Sequence, residues 1–342
     1  MNSPTLKRIC VTPQPAHVGG PASFIGKFSR GLAGRGIAVT HELDDQPYEA
    51  ILLVGASRRL VALRAAAREG THIVQRLDGM NWLHRARFSG PRHWLKAQMS
   101  NVLLSYTRFS VANTVVYQSR FVQDWWQREH GDGTPGVVIY NGVDLNHFTP
   151  QGAEQPPVDR IRILMVEGNL GGGYELGLEH GVALANQLSQ EISLPVELAV
   201  AGQVSDKVKA QAEQASQVAI EWLGLLALAE LPSHYRSAQL LFSGDINAAC
   251  PNAVIEAMAC GLPVVAFGTG ALPELVTAEA GRLAAYGGDP WRLEPADIPA
   301  LAQAAQAVLA DVDSFRTGAR ALAEAAFGLK TMVDNYLEVL RG

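Results

Sequence analysis

Residues 245–276 read DINAACPNAVIEAMACGLPVVAFGTGALPELV, and the order of elements inside this stretch sets the fold class. A strand ending at Phe242 gives way to a loop through Pro251. A helix is expected over residues 252–259, because Pro251 suits a first helical turn. A second strand follows at 263–267, then the loop Gly268-Thr269-Gly270-Ala271 and a helix start at Pro273-Glu274. Strands that are continuous apolar runs, rather than alternating ones, are those of a parallel sheet covered on both faces.

The same pattern recurs on both sides. Strands are expected at residues 8–12, 50–54, 73–76, 114–117 and 137–139, and again at 161–166, 196–201 and 239–242. Amphipathic stretches at 23–33, 58–69, 174–189 and 206–216 lie between them. Repeated strand–helix units make an α/β protein with doubly wound parallel sheets. Residues 151–159, QGAEQPPVD, form a polar connector, so the expected division is a domain over 1–150 and another over 160–326. Residues 327–340 carry apolar positions at 329, 332, 333, 336, 337 and 340, a helical face that could pack back on the first domain.

With 342 residues and 48% hydrophobic content, the chain can bury two cores and is not disordered. Cys10, Cys250 and Cys260 form neither a CxxC pair nor a zinc set. No secretory h-region follows Lys7-Arg8, and apolar runs are broken well short of a membrane span. A cytoplasmic location is expected. The net charge of −5 conceals a split: residues 1–150 carry 17 Lys and Arg against 10 Asp and Glu, the remainder 11 against 23. Between Asp78 and Asp124 there is no acid, while Arg85, Arg87, Arg92, Lys96 and Arg108 interleave with Trp82, Phe88 and Trp94. Such a stretch over 82–108 suits a peripheral membrane or phosphate contact, or is a solvated helix face. Nucleic acid is disfavoured by the acidic total.

Two glycine loops precede expected helices and could cradle an anion: Gly19-Gly20 after the first strand, and the loop containing Gly270. A tight turn explains either loop equally well. Glu256, inside the 252–259 helix, could accept hydrogen bonds from a vicinal diol such as a ribose, or be a solvated helix charge.

Taken together these segments resemble glycosyltransferase family 4, retaining enzymes of GT-B fold. Residues 252–265, NAVIEAMACGLPVV, are close to that family's signature, as is Gly270 followed by Pro273-Glu274-Leu275-Val276. Gly19-Gly20 with Leu32 and Gly36, Ser119-Arg120-Phe121, Asn141-Gly142-Val143-Asp144 with Phe148-Thr149-Pro150, and Gly281-Arg282-Leu283 with Gly287-Gly288-Asp289-Pro290 follow in family order over nearly the whole chain. The resemblance implies two Rossmann-like domains facing a cleft. The activity it implies is sugar transfer from a nucleotide-diphosphate sugar to a glycan or lipid-linked acceptor, in envelope or exopolysaccharide assembly, without a metal. Glu256 then matches the second glutamate of the family's EX7E motif, which binds the ribose. Asn252, Ala253 and Val254 match the backbone facing the donor, Gly19 and Gly20 the loop over the diphosphate, and Leu223 with Gly224 and Leu225 the loop on the nucleobase.

Three positions depart from the family. Ala248 stands where the first EX7E glutamate would, leaving Asp245 or Asn247 to reach the sugar hydroxyls. The family's Arg and Lys pair has no counterpart in 167–175, EGNLGGGYE, where Gly168, Asn169 and the glycines 171–173 could form a backbone nest instead. Asp78 replaces a family histidine and could orient the sugar or an acceptor hydroxyl, or simply pair with Arg76 or cap a loop. Asp78 and Asp245 are thus the catalytic candidates. Asp311-Val312-Asp313 lies between Ala-rich helical stretches and is not expected to bind metal; His17 and His84 are given no firm role. A catalytically degenerate nucleotide- or glycan-binding relative is the second reading, and a nucleotide-sugar epimerase the third.

Overall fold

The computed structural model describes residues 6–14, 19–87, 90–171 and 175–342, and divides into two units. The first comprises Met1–Gly142 together with Leu329–Gly342; the second is Val143–Gly328. His17, Phe88, Gly172, Gly173 and Tyr174 lie outside the described residues.

In the first unit the order is β1 (Arg8–Thr12), α1 (Gly20–Ala33), β2 (Ala38–Thr40), β3 (Ala50–Val54), α2 (Leu60–Arg68) and β4 (His72–Leu77). Then come α3 (Leu83–Ala86), α4 (Pro91–Ser110), β5 (Thr114–Tyr117), α5 (Arg120–His130) and β6 (Gly136–Val138). The strands form one parallel sheet in the order β2-β1-β3-β4-β5-β6. Every residue of β3 is buried, which is why AILLV reads as an unbroken apolar run.

The second unit holds β7 (Ile161–Asn169), α6 (Glu175–Glu191), β8 (Val196–Gln203), α7 (Asp206–Ala215), β9 (Ala219–Gly224), α8 (Leu231–Arg236) and β10 (Leu240–Ser243). It continues with α9 (Asn252–Ala259), β11 (Val264–Phe267), α10 (Leu272–Leu275), β12 (Gly281–Ala284), α11 (Ile298–Leu309) and α12 (Val312–Ala326). Its parallel sheet runs β12-β11-β10-β7-β8-β9. Three strands absent from the sequence-based expectation, β2, β9 and β12, are all sheet edges. Edge strands need no continuous apolar run, and β9 alternates in burial.

The division falls earlier than the 151–159 connector. Residues 143–150 pack on the second unit because its backbone polar groups find partners there. The amide of Val143 donates to Phe327 O at 2.8 Å, and Arg320 donates through Nη1 to Phe148 O (2.8 Å) and Ala259 O (2.6 Å). Arg236 Nη1 donates to Thr149 O at 3.2 Å. The chain then returns to the first unit as α13 (Leu329–Arg341). Met332, Val333, Tyr336, Leu337 and Leu340 join the core formed by α1 and strands β1, β3 and β4. Tyr336 sits 5.2 Å from the Phe24 ring and 5.3 Å from that of Phe28, centroid to centroid. Each such burial is worth about 1.5–3 kcal/mol.

Candidate active site

In doubly wound sheets, ligands bind beyond the carboxyl ends of the strands. In the second unit three neighbouring strands, β7, β10 and β11, end together there and supply most of the sequence-derived candidates. Gly168 and Asn169 close β7; Asp245 follows β10; Gly270 follows β11.

The loops after β10 and β11 are stitched to one another. Ala271 N donates to Ala248 O at 2.8 Å, and Asn247 N donates to Thr269 Oγ1 at 3.2 Å. Gly270 has φ +60°, and a Cβ there would stand 2.5 Å from Ala248 N and from Asn247 C. The backbone of 247–248 thus packs so closely on position 270 that only a glycine fits there, and Ala248 itself is buried. Asn247 is itself left-handed at φ 57°, a conformation asparagine tolerates, and its Nδ2 is buried without a hydrogen-bond partner among the described residues. A buried amide donor of this kind is poised for a ligand oxygen.

Glu256 lies in α9, and its surroundings rule out a solvated helix charge: the residue is 5% exposed. Its Oε2 accepts a hydrogen bond from the buried hydroxyl of Tyr235 on α8, at 3.3 Å. Burial, followed by the negative charge of Glu256, pushes the Tyr235 hydroxyl well above its ordinary pKa, so it remains a donor. Asn252 and Ala253 open α9 half-exposed with no acid in the first turn, while Val254 is buried. That helix start has amides to offer an anion.

Sequence reasoning missed Glu167. It stands at the end of β7, beside the strand that leads to Asp245. Burial raises both carboxyl pKa values, and the charge of Asp245 raises that of Glu167 further. Two such acids hold a proton between them more readily than two exposed ones. A protonated carboxyl donates to a phosphate oxygen, which a carboxylate would repel. The available signal was an acid directly after the apolar run 163–166, near the ligand-binding edge of the sheet.

The other candidates are carried by other elements. Leu223 is half-buried at the end of β9, the far edge strand, followed by Gly224 at φ +67° and exposed Leu225. Asp311 precedes α12, and no group of three or more metal-ligating side chains occurs among the described residues. Gly19, Gly20 and Asp78 belong to the first unit. Gly19 is the N-cap of α1, and Asp78 follows β4, its carbonyl accepting from Trp126 Nε1 at 2.9 Å. Arg76, the expected partner of Asp78, donates through Nη2 to Asn141 Oδ1 at 2.8 Å. His84 is buried beside Trp94.

Residues 163–311 match the family model described as glycosyl transferases group 1. No curated protein is detectably similar in sequence. Among solved structures, a sucrose-phosphate synthase from Thermosynechococcus elongatus superposes with a TM-score of 0.75 at 15% identity, covering 98% of each chain. Anabaena Alr3699/HepE, solved with UDP and glucose, gives 0.71 at 17% identity over 98% of this chain and 99% of that one. WaaG, a glycosyltransferase of lipopolysaccharide biosynthesis, gives 0.69 at 14% identity over 98% and 100%.

Proposed function

We propose that this chain, a GT-B protein whose residues 163–311 carry the group 1 glycosyltransferase match, moves a sugar from a nucleoside-diphosphate sugar to a glycan or lipid-linked acceptor with retained configuration. The observation that carries the reading is the buried Glu256 on α9 beside the interlocked loops at the ends of β10 and β11. Glu256 holds the nucleoside ribose, the amides opening α9 and the β7 and β11 loops face the diphosphate, and Asn247 with Asp245 meets the sugar. The glycosidic bond to the diphosphate breaks while the acceptor oxygen bonds to the same face, and the acceptor proton passes to the leaving diphosphate. Catalysis then rests on positioning and electrostatics, with no metal and no protein nucleophile.

The acceptor side draws on α4. Leu95, Met99, Val102, half-buried Tyr106 and Phe109 recur at spacings of four and three along its outer face, beside exposed Arg92 and Lys96. No helix among the described residues is long and apolar enough to cross a membrane, and a basic apolar-edged helix fits an anionic bilayer surface. A lipid-linked acceptor in envelope or exopolysaccharide assembly suits it.

Calorimetric titration with UDP, GDP and ADP tests the donor site. One diphosphate binds near the micromolar range, and Glu256→Ala weakens it by about 1–3 kcal/mol, the value of charged hydrogen bonds. Absence of binding by all three refutes the reading. Ala248 and the acidic Glu167–Asp245 pair favour a second reading, nucleotide binding without turnover. It is supported if a nucleotide binds while its sugar conjugate is neither hydrolysed nor transferred.

A further inference from the structure

Glu256 is held by a side chain to which the donor reading gives no task. Tyr235, near the end of α8, is fully buried and donates to Glu256 Oε2 at 3.3 Å. Its ring is fixed by the segment that opens the second unit. Phe148, also buried, stands 6.2 Å from the Tyr235 ring, centroid to centroid, at an interplanar angle of 55°. The neighbours of Phe148 grip α8 from both ends. His147 Nε2 donates to Leu228 O at 3.0 Å, in the loop leading into the helix. Thr149 O accepts from Arg236 Nη1 at 3.2 Å, one residue beyond Tyr235.

A glutamate side chain has three torsions, and one that is not held loses their freedom when a ligand engages it. A phenol bond to one oxygen removes much of that freedom beforehand, so less is lost on binding. A carboxylate offers about four acceptor directions, so one phenol leaves room for the two hydroxyls of a vicinal diol. Held in this way, Glu256 meets a diol in one orientation. A nucleoside lacking those hydroxyls then leaves a buried charge poorly satisfied, the condition under which a polar site discriminates strongly.

We propose that Tyr235 is a positioning residue that makes the donor site select ribose over deoxyribose, by fixing the Glu256 carboxylate while residues 147–149 fix the phenol. The proposal rests on the assignment of Glu256 to the ribose and adds to it a residue that acts through Glu256 and not on the ligand. Phe148 supplies the rigid backing, because its carbonyl is itself held by Arg320 Nη1 at 2.8 Å. The hydroxyl of Tyr235, rather than its ring, carries the selectivity.

The test titrates the full chain, Tyr235→Phe, Glu256→Gln and the double variant. The probes are whichever of UDP, GDP and ADP binds, and its dideoxyribose analogue, which lacks both ribose hydroxyls. Tyr235→Phe should weaken the ribonucleotide by about fivefold or more and leave the analogue within about twofold. The double variant should bind the ribonucleotide within about twofold of Glu256→Gln alone, since a residue acting through Glu256 has nothing left to position. A merely structural role would lower both affinities alike and multiply the two losses, and either result overturns the proposal. So does a Tyr235→Phe protein that binds the ribonucleotide as the parent does. The donor reading survives these failures if Glu256→Gln still loses the ribonucleotide selectively, and falls with the proposal if Glu256→Gln changes nothing. The unaltered protein gives a readout that needs no variant: it should prefer the ribonucleotide to the analogue by about tenfold or more, and equal affinities overturn the proposal.

Discussion

Three glycines of the second unit separate the contributions that hold its loops in place. A Cβ on Gly270 would meet Ala248 N and Asn247 C at 2.5 Å and Ala248 O at 2.6 Å, all backbone atoms that no rotamer change can remove. Ordinary contact needs the two loops to part by about 1 Å. That separation breaks the hydrogen bonds from Ala271 N and Asn247 N, at roughly 0.5–1.5 kcal/mol each, and left-handed strain adds roughly 1 kcal/mol. Gly270→Ala should therefore destabilise the second unit by about 2–4 kcal/mol, and lower its Tm by roughly 5–15 °C. Gly224 is left-handed but has open space around it, so Gly224→Ala should cost only about 1 kcal/mol. Gly168 has neither constraint, and Gly168→Ala should lie within about 0.5 kcal/mol of the parent. Scanning calorimetry with and without UDP measures all three, the transition that UDP shifts being that of the second unit. A Gly270→Ala protein with unchanged Tm and unchanged UDP affinity would refute the interlocked-loop account.

Three further outcomes are expected. Because Glu167 and Asp245 have raised pKa values, the folded state holds protons that the unfolded chain releases near pH 4. Stability should fall as pH rises from that range through the folded pKa values, and Glu167→Gln should flatten the fall in Tm measured against pH. Asn247→Ala should weaken binding of UDP-sugar by about tenfold while leaving UDP within about twofold, since its buried Nδ2 is assigned to the sugar. Vesicles of anionic lipid should co-sediment the protein and shift Trp94 fluorescence to the blue; Arg92→Glu with Lys96→Glu should abolish both, and binding to neutral vesicles alone would refute the charge argument.

Much of this was legible because interior parallel strands announce themselves. Runs such as AILLV at 50–54 and the helical stripe of residues 327–340 need no tertiary information, since burial on both faces or on one stripe dictates composition. The edge strands β2, β9 and β12 carried no such mark. The site was legible only where a residue's type mattered by itself. Glu256 stood out in an apolar helix, but its partner Tyr235 is 21 positions away on another element, and no local pattern joins them. Glu167 was given no role, since nothing local marks its neighbour across the sheet. Gly270 looked like a simple turn glycine; its reason lies in the backbone of a loop 22 positions earlier, at Ala248.

The return of α13 also governs the order in which the molecule can be finished. The second unit is a single continuous stretch, 143–328, and its core is complete once that stretch has left the ribosome. The first unit, although translated earlier, lacks Tyr336, Leu337 and Leu340 until residues beyond 328 emerge, and Phe24 and Phe28 stay uncovered meanwhile. The half made first is therefore the half that matures last, and a stop codon before 329 would leave a well-formed second unit beside an unfinished first one.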